Sequence, residues 1–432
     1  MDQVFRARRV VTPDGERALD VGVADGRVVA IGDRLDGDSL VELADDEVLL
    51  PGLVDTHVHV DDPGRADWEG FGSATRAAAA GGVTTLVDMP LNSVPATVDV
   101  AALELKRATA SGRVHVDVGF WGGLVPDNTG HLAALHDAGV FGFKCFLADS
   151  GVEEFPPVDL AGLRAALAVL EPLGALTIVH AEDPRALAEP GPGYAGFLAS
   201  RPHAAEYGAI ADLVDVARDT GARLHVLHLS SGMGLDYLHA GRAAGLPITA
   251  ETCPHYLTFV AEEIADDATE FKCCPPIRDA ANREELWQGL ASGRIDLVVS
   301  DHSPCPAALK QGGFAGAWGG VASLQLGLAA VWTQARLRGH GLGDVARWMA
   351  TAPADLVGLA HKGRIAVGAD ADFCAFAPDA AFVVDREALF HRHPVTPYHG
   401  RALAGVVRRT WLRGEEITGD RPRGRLLHKG DV

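Results

Sequence analysis

Apolar and β-branched runs recur through the middle of the chain, at 53–59, 83–89, 114–120, 140–146, 175–180, 224–228, 248–255 and 297–301. Between them lie stretches with apolar residues at helical spacing, such as 68–80, 160–170, 204–218 and 282–292. Continuous apolar strands alternating with helices predict βαβ units and a parallel sheet covered on both faces. Eight such units over about 310 residues fit a TIM (β/α)8 barrel; a doubly wound open sheet is the rival. The two ends are patterned differently. Residues 4–11, 20–24 and 27–31 read as short strands joined at Thr12-Pro13-Asp14-Gly15 and Asp25-Gly26, and Asp-Gly between β-rich runs signals a hairpin. Residues 362–365, 371–376 and 406–412 repeat that style near the C-terminus. The expected fold is α/β: a barrel over residues 51–361 and a small β-sandwich built from residues 1–50 and 362–432.

Composition narrows the classes. At 432 residues the chain can bury a sizeable core. Its net charge of −20 disfavours nucleic acid and anionic membrane as partners. No run approaches 18 uninterrupted apolar residues, and Met1–Arg9 lacks the apolar stretch of a signal peptide. The six cysteines form no Cys-x-x-Cys pair and read as reduced thiols of a cytoplasmic protein.

Candidate chemistry gathers at the predicted strand ends. In Leu49-Leu50-Pro51-Gly52-Leu53-Val54-Asp55-Thr56-His57-Val58-His59, the two histidines are two apart, so on a strand they share a face. Imidazole is the commonest metal ligand. The other strand ends supply Lys144, His180, His228 and Asp301. In a barrel all six would meet at one mouth. Bland alternatives stand beside each: a hydrogen-bonded structural histidine for His180, a turn cap for Asp301. His225 lies three from His228, faces the other way, and reads as structural. Lys144 sits inside the apolar run Gly142-Phe143-Lys144-Cys145-Phe146. A buried lysine has a depressed pKa. It is either a snorkelling or ion-paired side chain, or a neutral amine that adds carbon dioxide. The resulting carbamate (N6-carboxylysine) offers two oxygens to bridge two divalent ions.

These residues carry a resemblance. The segment 51–59, the run 142–146, Val179-His180-Ala181-Glu182, Leu224-His225-Val226-Leu227-His228-Leu229-Ser230-Ser231 and Ser300-Asp301-His302-Ser303-Pro304 resemble the cyclic amidohydrolases of the amidohydrolase superfamily. Lys362-Gly363-Arg364-Ile365 resembles that superfamily's return into its small β domain. Within the group, Asp62-Pro63-Gly64-Arg65, Met89-Pro90-Leu91-Asn92, Glu251-Thr252-Cys253-Pro254-His255-Tyr256-Leu257 and Pro275-Pro276-Ile277-Arg278-Asp279 are most similar to the allantoinases. The resemblance implies that His57 and His59 bind one metal ion, that His180 and His228 bind a second, and that carbamylated Lys144 bridges both. It makes Asp301 both a ligand and the catalytic proton shuttle. It implies two divalent ions, zinc first, with cobalt, iron, manganese or nickel on the same donors. The substrate would be the small molecule allantoin and the assembly a homotetramer. Asn92 and Cys274 are the candidate substrate contacts. Asp61, where dihydroorotases carry an arginine, would repel a carboxylate. No tyrosine follows Lys144 until Tyr194, unlike the dihydropyrimidinases and many hydantoinases, which are the alternative reading. A non-catalytic scaffold is the other class, and the presence of all six candidate ligands argues against it.

Overall fold

The computed structural model describes residues 1–419 and 421–431. Its central part alternates parallel strands with helices. One sheet joins Leu53–Val58, Val83–Asp88 and Asp117–Phe120. A second joins Gly122–Gly123, Phe143–Phe146, Leu176–His180, Arg223–Val226, Ile248–Thr252 and Leu297–Val298, all parallel. The two sheets adjoin in sequence at Trp121, between Asp117–Phe120 of the first and Gly122–Gly123 of the second, and a parallel bridge between Val58 and His302 links the segment after the last strand to the first strand. Nearly every residue of these strands is buried, which explains why they read as unbroken apolar runs.

The structured strands are shorter than the apolar runs. Residues 114–116 precede their strand, and the run 248–255 turns at Cys253 into the short helix Pro254–Thr258. Helices follow local signals closely. Leu160–Leu170 starts where the Asp159 carboxylate accepts a hydrogen bond from Gly162 N at 2.7 Å, and it buries Leu163, Ala166, Leu167 and Leu170 on one face. Asp279 caps Ala280–Ala291 in the same way. His203–Thr220 stops at Gly221, whose φ of 74° suits a residue without Cβ.

Both chain ends enter one eight-stranded sheet, ordered Glu415–Glu416, Ala402–Leu412, Phe373–Val383, Val48–Pro51, Gln3–Thr12, Gly15–Ala24 and Arg27–Gly32, with Leu40–Glu42 pairing beside Gln3–Thr12. Asp25 and Gly26 take positive φ at the tip of the Gly15–Ala24/Arg27–Gly32 hairpin, as expected of an Asp-Gly turn. The sheet has its own apolar core, including Phe5, Phe373 and Trp411, with ring centroids 5.0 and 5.3 Å from Phe5. The expected strand at 362–365 is absent; these residues turn. Gly363 has a φ of 68°, and the Lys362 ammonium is drawn inward, donating to Asp117 and Asp372 at 2.7 Å each with Asp370 at 2.9 Å. This buried cation ties the central strand Asp117–Phe120 to the return into the sheet. The C-terminal tail then runs back along the central strands: Gly424 N donates to Val114 O and Leu427 N to Val118 O.

Candidate active site

The strands end around a cavity of about 470 Å³. His57, His59, Lys144, His180, His228 and Asp301 all line it, as do Asn92 and Cys274. On one side of the floor, His57 Nε2 lies 3.0 Å and His59 Nε2 3.7 Å from Asp301 Oδ1. The three offer ligand atoms close enough to hold one metal ion. Opposite them, His180 Nδ1 and His228 Nε2 are 3.0 Å apart. The His57 and His228 rings approach to 5.3 Å between centroids, so the two groups adjoin. Non-glycine residues with positive φ concentrate here: His228 at 34°, Asp301 at 45° and Asn92 at 64°. Left-handed backbone at such residues costs about 1–3 kcal/mol each and persists where surrounding structure enforces it.

Buried partners fix the ring orientations. His57 Nδ1 bonds Glu251, whose other oxygen lies 3.0 Å from His225 Nε2. Glu251 also accepts from His228 N at 3.3 Å. His180 Nε2 bonds Glu182 Oε2 at 2.7 Å, and Arg201 donates to that same oxygen. The Asn92 amide is 3.3 Å from His59 Nδ1. His225, read as structural, serves as Glu251's second partner. Sequence reasoning passed over Glu251 and Glu182. The available signal for Glu251 was a carboxylate inside the buried run Ile248–Thr252, which must be paired to be tolerated.

The electrostatics suit a cation. Burial lowers the His57 imidazole, yet Asp301 and Glu251 hold it up at about 9. Burial raises the Asp301 carboxyl, but His57, His228 and His59 keep it well below the usual carboxylate range. Negative charge is thus concentrated beside His57, where a divalent ion satisfies it. His57 Nε2 is fully buried and, among the described residues, approaches only Asp301 Oδ1, at 3.0 Å. Burial pushes His59 and His228 well down, and His180 down, leaving neutral rings with lone pairs to donate. Lys144 is buried, and burial lowers its amine to about 8. Among the described residues it makes no hydrogen bond or ion pair; its ammonium lies over the Phe146 ring, 4.4 Å from the centroid. An unpaired buried amine among metal-competent side chains fits a carbamate ligand.

Asp61 corrects a sequence expectation. Its side chain is buried and does not line the cavity, and burial with nearby Asp88 raises its carboxyl well above the usual range. A side chain outside the cavity lining does not meet a substrate there. The mouth of the cavity is made by loops. Lys272 donates to Ala315 O and Ala317 O at 3.3 and 2.6 Å, and Lys310 to Trp318 O and Gly320 O at 2.8 and 2.7 Å. These two amines pin the segment that carries Trp318 over the site.

The Amidohydrolase family matches residues 48–417, and the chain belongs to that family. Among its curated relatives, an allantoinase of Streptomyces avermitilis is 56% identical over 99% of both chains. An allantoinase of Escherichia coli O1:K1 is 40% identical, covering 96% of this chain and 95% of its own. Among solved structures, the L-hydantoinase (dihydropyrimidinase) from Arthrobacter aurescens superposes with a TM-score of 0.91 at 29% identity, over 99% of this chain and 98% of its own.

Proposed function

We propose that this protein opens the hydantoin ring of allantoin by hydrolysis, giving allantoate, at a binuclear metal centre. The observation that carries the proposal is the convergence of His57, His59, Lys144, His180, His228 and Asp301 on one cavity floor. Full-length similarity to proteins named allantoinase supports the substrate.

In this reading His57, His59 and Asp301 would hold one ion, His180 and His228 would hold the other, and Lys144, as a carbamate, would be a ligand shared by the two. When bound, two divalent ions, zinc first among zinc, cobalt, iron, manganese and nickel, supply Lewis acidity that polarises the ring carbonyl and makes water nucleophilic at neutral pH. The chain's own residues do the rest. Asp301, held ionised, takes the water's proton on its carboxylate and passes it to the leaving ring nitrogen. Glu251 accepts the His57 Nδ1 proton, which leaves Nε2 free to face the site. Glu182 does the same for His180 from the Nε2 side. Asn92 Nδ2 lies 3.3 Å from His59 Nδ1, so Asn92 also orients that ring and its role extends beyond substrate contact. Cys274 lines the wall on which the ring would lie.

The same reading closes the parallel strands through the Val58–His302 bridge into a (β/α)8 barrel over residues 51–361. Residues 1–50 and 362–432 then form the small β-sandwich around the Phe5–Phe373–Trp411 core. It places the enzyme in the cytoplasm as a homotetramer; among the described residues no helix is long and apolar enough to cross a membrane.

A hydantoinase or dihydropyrimidinase reading is favoured by the structural neighbours. Against it, among the described residues no tyrosine lines the cavity, and Tyr194 is buried with its hydroxyl donating to Ile277 O. The deciding test is hydrolysis of allantoin, dihydrouracil and hydantoin side by side at matched metal loading. Allantoin should have the highest kcat/KM, because a site built to hydrogen-bond the ureido arm discriminates strongly against substrates without it. Faster turnover of either competitor would replace this reading. A crystal structure of the active enzyme with a plain ammonium at Lys144 would remove the bridge.

A further inference from the structure

Two opposite charges on the outer wall of the cavity do not pair with each other. Arg201, just past the helix Gly193–Ser200, lines the cavity, and among the described residues its one side-chain hydrogen bond runs from Nη1 to Glu182. A guanidinium carries five N–H donors in a planar fork, so most remain available. Asp149 also lines the cavity, on its exposed rim, and its one bond is accepted through Oδ1 from Gly151 N at 3.1 Å. No ion pair joins Arg201 to Asp149 among the described residues. Lys272, a third charged group on this wall, is already committed to Ala315 O and Ala317 O.

Opposed charges that stay apart leave polar capacity unused, and a neutral group with an acceptor at one end and donors at the other fits between them. A urea does this: its carbonyl oxygen accepts and its terminal NH2 donates. We propose that Arg201 is the specificity-determining residue for the ureido arm of the substrate, donating to the arm's carbonyl oxygen while Asp149 accepts from its terminal nitrogen. The proposal rests on the allantoin reading above. It also gives Arg201 two tasks. One N–H holds Glu182 against His180, and the free edge of the fork reads the substrate. Ring recognition and arm recognition then meet at one side chain.

The test compares allantoin with hydantoin, which has the same ring and no arm. Arg201→Lys keeps a cation beside Glu182 but removes the fork. In the metal-loaded enzyme, with metal content measured, the ratio of kcat/KM for allantoin to that for hydantoin should fall about 10–100-fold, the loss expected for one charge-assisted hydrogen bond, carried mainly by KM. Asp149→Asn, on the exposed rim, should lower the same ratio by about threefold to tenfold and decides the matter if the arginine variant does not fold. Equal losses on both substrates, or an unchanged ratio, would overturn the proposal and leave Arg201 acting only through Glu182. An unmodified enzyme that opens hydantoin but not allantoin would instead bring down the substrate reading, and this inference with it.

Discussion

On the floor of the cavity His57 and His180 each have one ring nitrogen fixed by a buried carboxylate, and Asp301 is held between histidines. At the mouth, the Arg201 and Asp149 side chains line the cavity and have one hydrogen bond each among the described residues. The floor is built from strand ends; the mouth is built from loops and a helix terminus. Groups that perform the chemistry must be held within fractions of an ångström and sit on rigid elements with a supporting shell. Groups that choose the substrate need spare hydrogen-bonding capacity, and loops supply it. The contrast predicts that damage at the floor reaches every substrate alike, whereas damage at the mouth falls hardest on substrates with an arm.

The sharpest way to break the contrast is Asp301→Asn. Turnover of every substrate should fall about 10²–10⁴-fold, the usual weight of general acid–base catalysis, with much of the metal retained. Activity within a few-fold of the parent would remove Asp301 from its role. Glu251→Gln keeps the shape and removes the charge shared by His57 and His225. Metal affinity, measured by chelator titration, should weaken about 10–100-fold, and a change below twofold would show that the buried carboxylate is not needed to orient the ligands.

Lys144 gives a pH test. With its amine at about 8, about a tenth is neutral at pH 7 and about nine tenths at pH 9. Carbon dioxide adds only to the neutral amine. Metal-stripped protein recharged with zinc at a fixed dissolved carbon dioxide concentration should regain activity progressively better from pH 7 to pH 9. Recovery independent of pH would argue against carbamate formation at this residue. The smallest effect is expected at Asp61, just outside the site. Its folded carboxyl titrates above the ordinary 3.8, so as pH rises the unfolded chain loses its proton first and gains on the folded one. The cost is absent below about 3.8 and grows above it. Asp61→Asn should therefore melt slightly higher at pH 7, converge with the parent in acid, and keep kcat/KM within a few-fold. A large loss of activity would restore a direct role to Asp61.

The legible and illegible parts of the sequence divide along the same line. His57, His59, Lys144, His180, His228 and Asp301 could be picked out because a polar side chain at the end of a buried apolar run has few other reasons to be there. Glu251 sits in such a run as well, but its partners His57 and His225 come from other strands, and no local pattern announces that pairing. Arg201 is harder still. It follows a helix in the irregular stretch after His180, where an arginine is ordinarily a solvated surface residue. Asp61 was misread because adjacency to the metal histidines in sequence suggested adjacency in the cavity, whereas its side chain is buried outside the cavity lining. The expected strand at 362–365 failed for a tertiary reason: the pull of three carboxylates on Lys362 overrides local β preference.

Strand Val48–Pro51 has its long antiparallel partner in Phe373–Phe376, more than three hundred residues later. On a ribosome adding about 5–20 residues per second, the earlier strand therefore waits roughly a quarter of a minute to a minute for its neighbour to be made. Throughout that interval strand Val48–Pro51 presents an open, apolar edge next to a half-built domain. Such a protein should depend heavily on holding chaperones during synthesis, and losing its last strands to a premature stop should yield aggregated chains, not a smaller working enzyme.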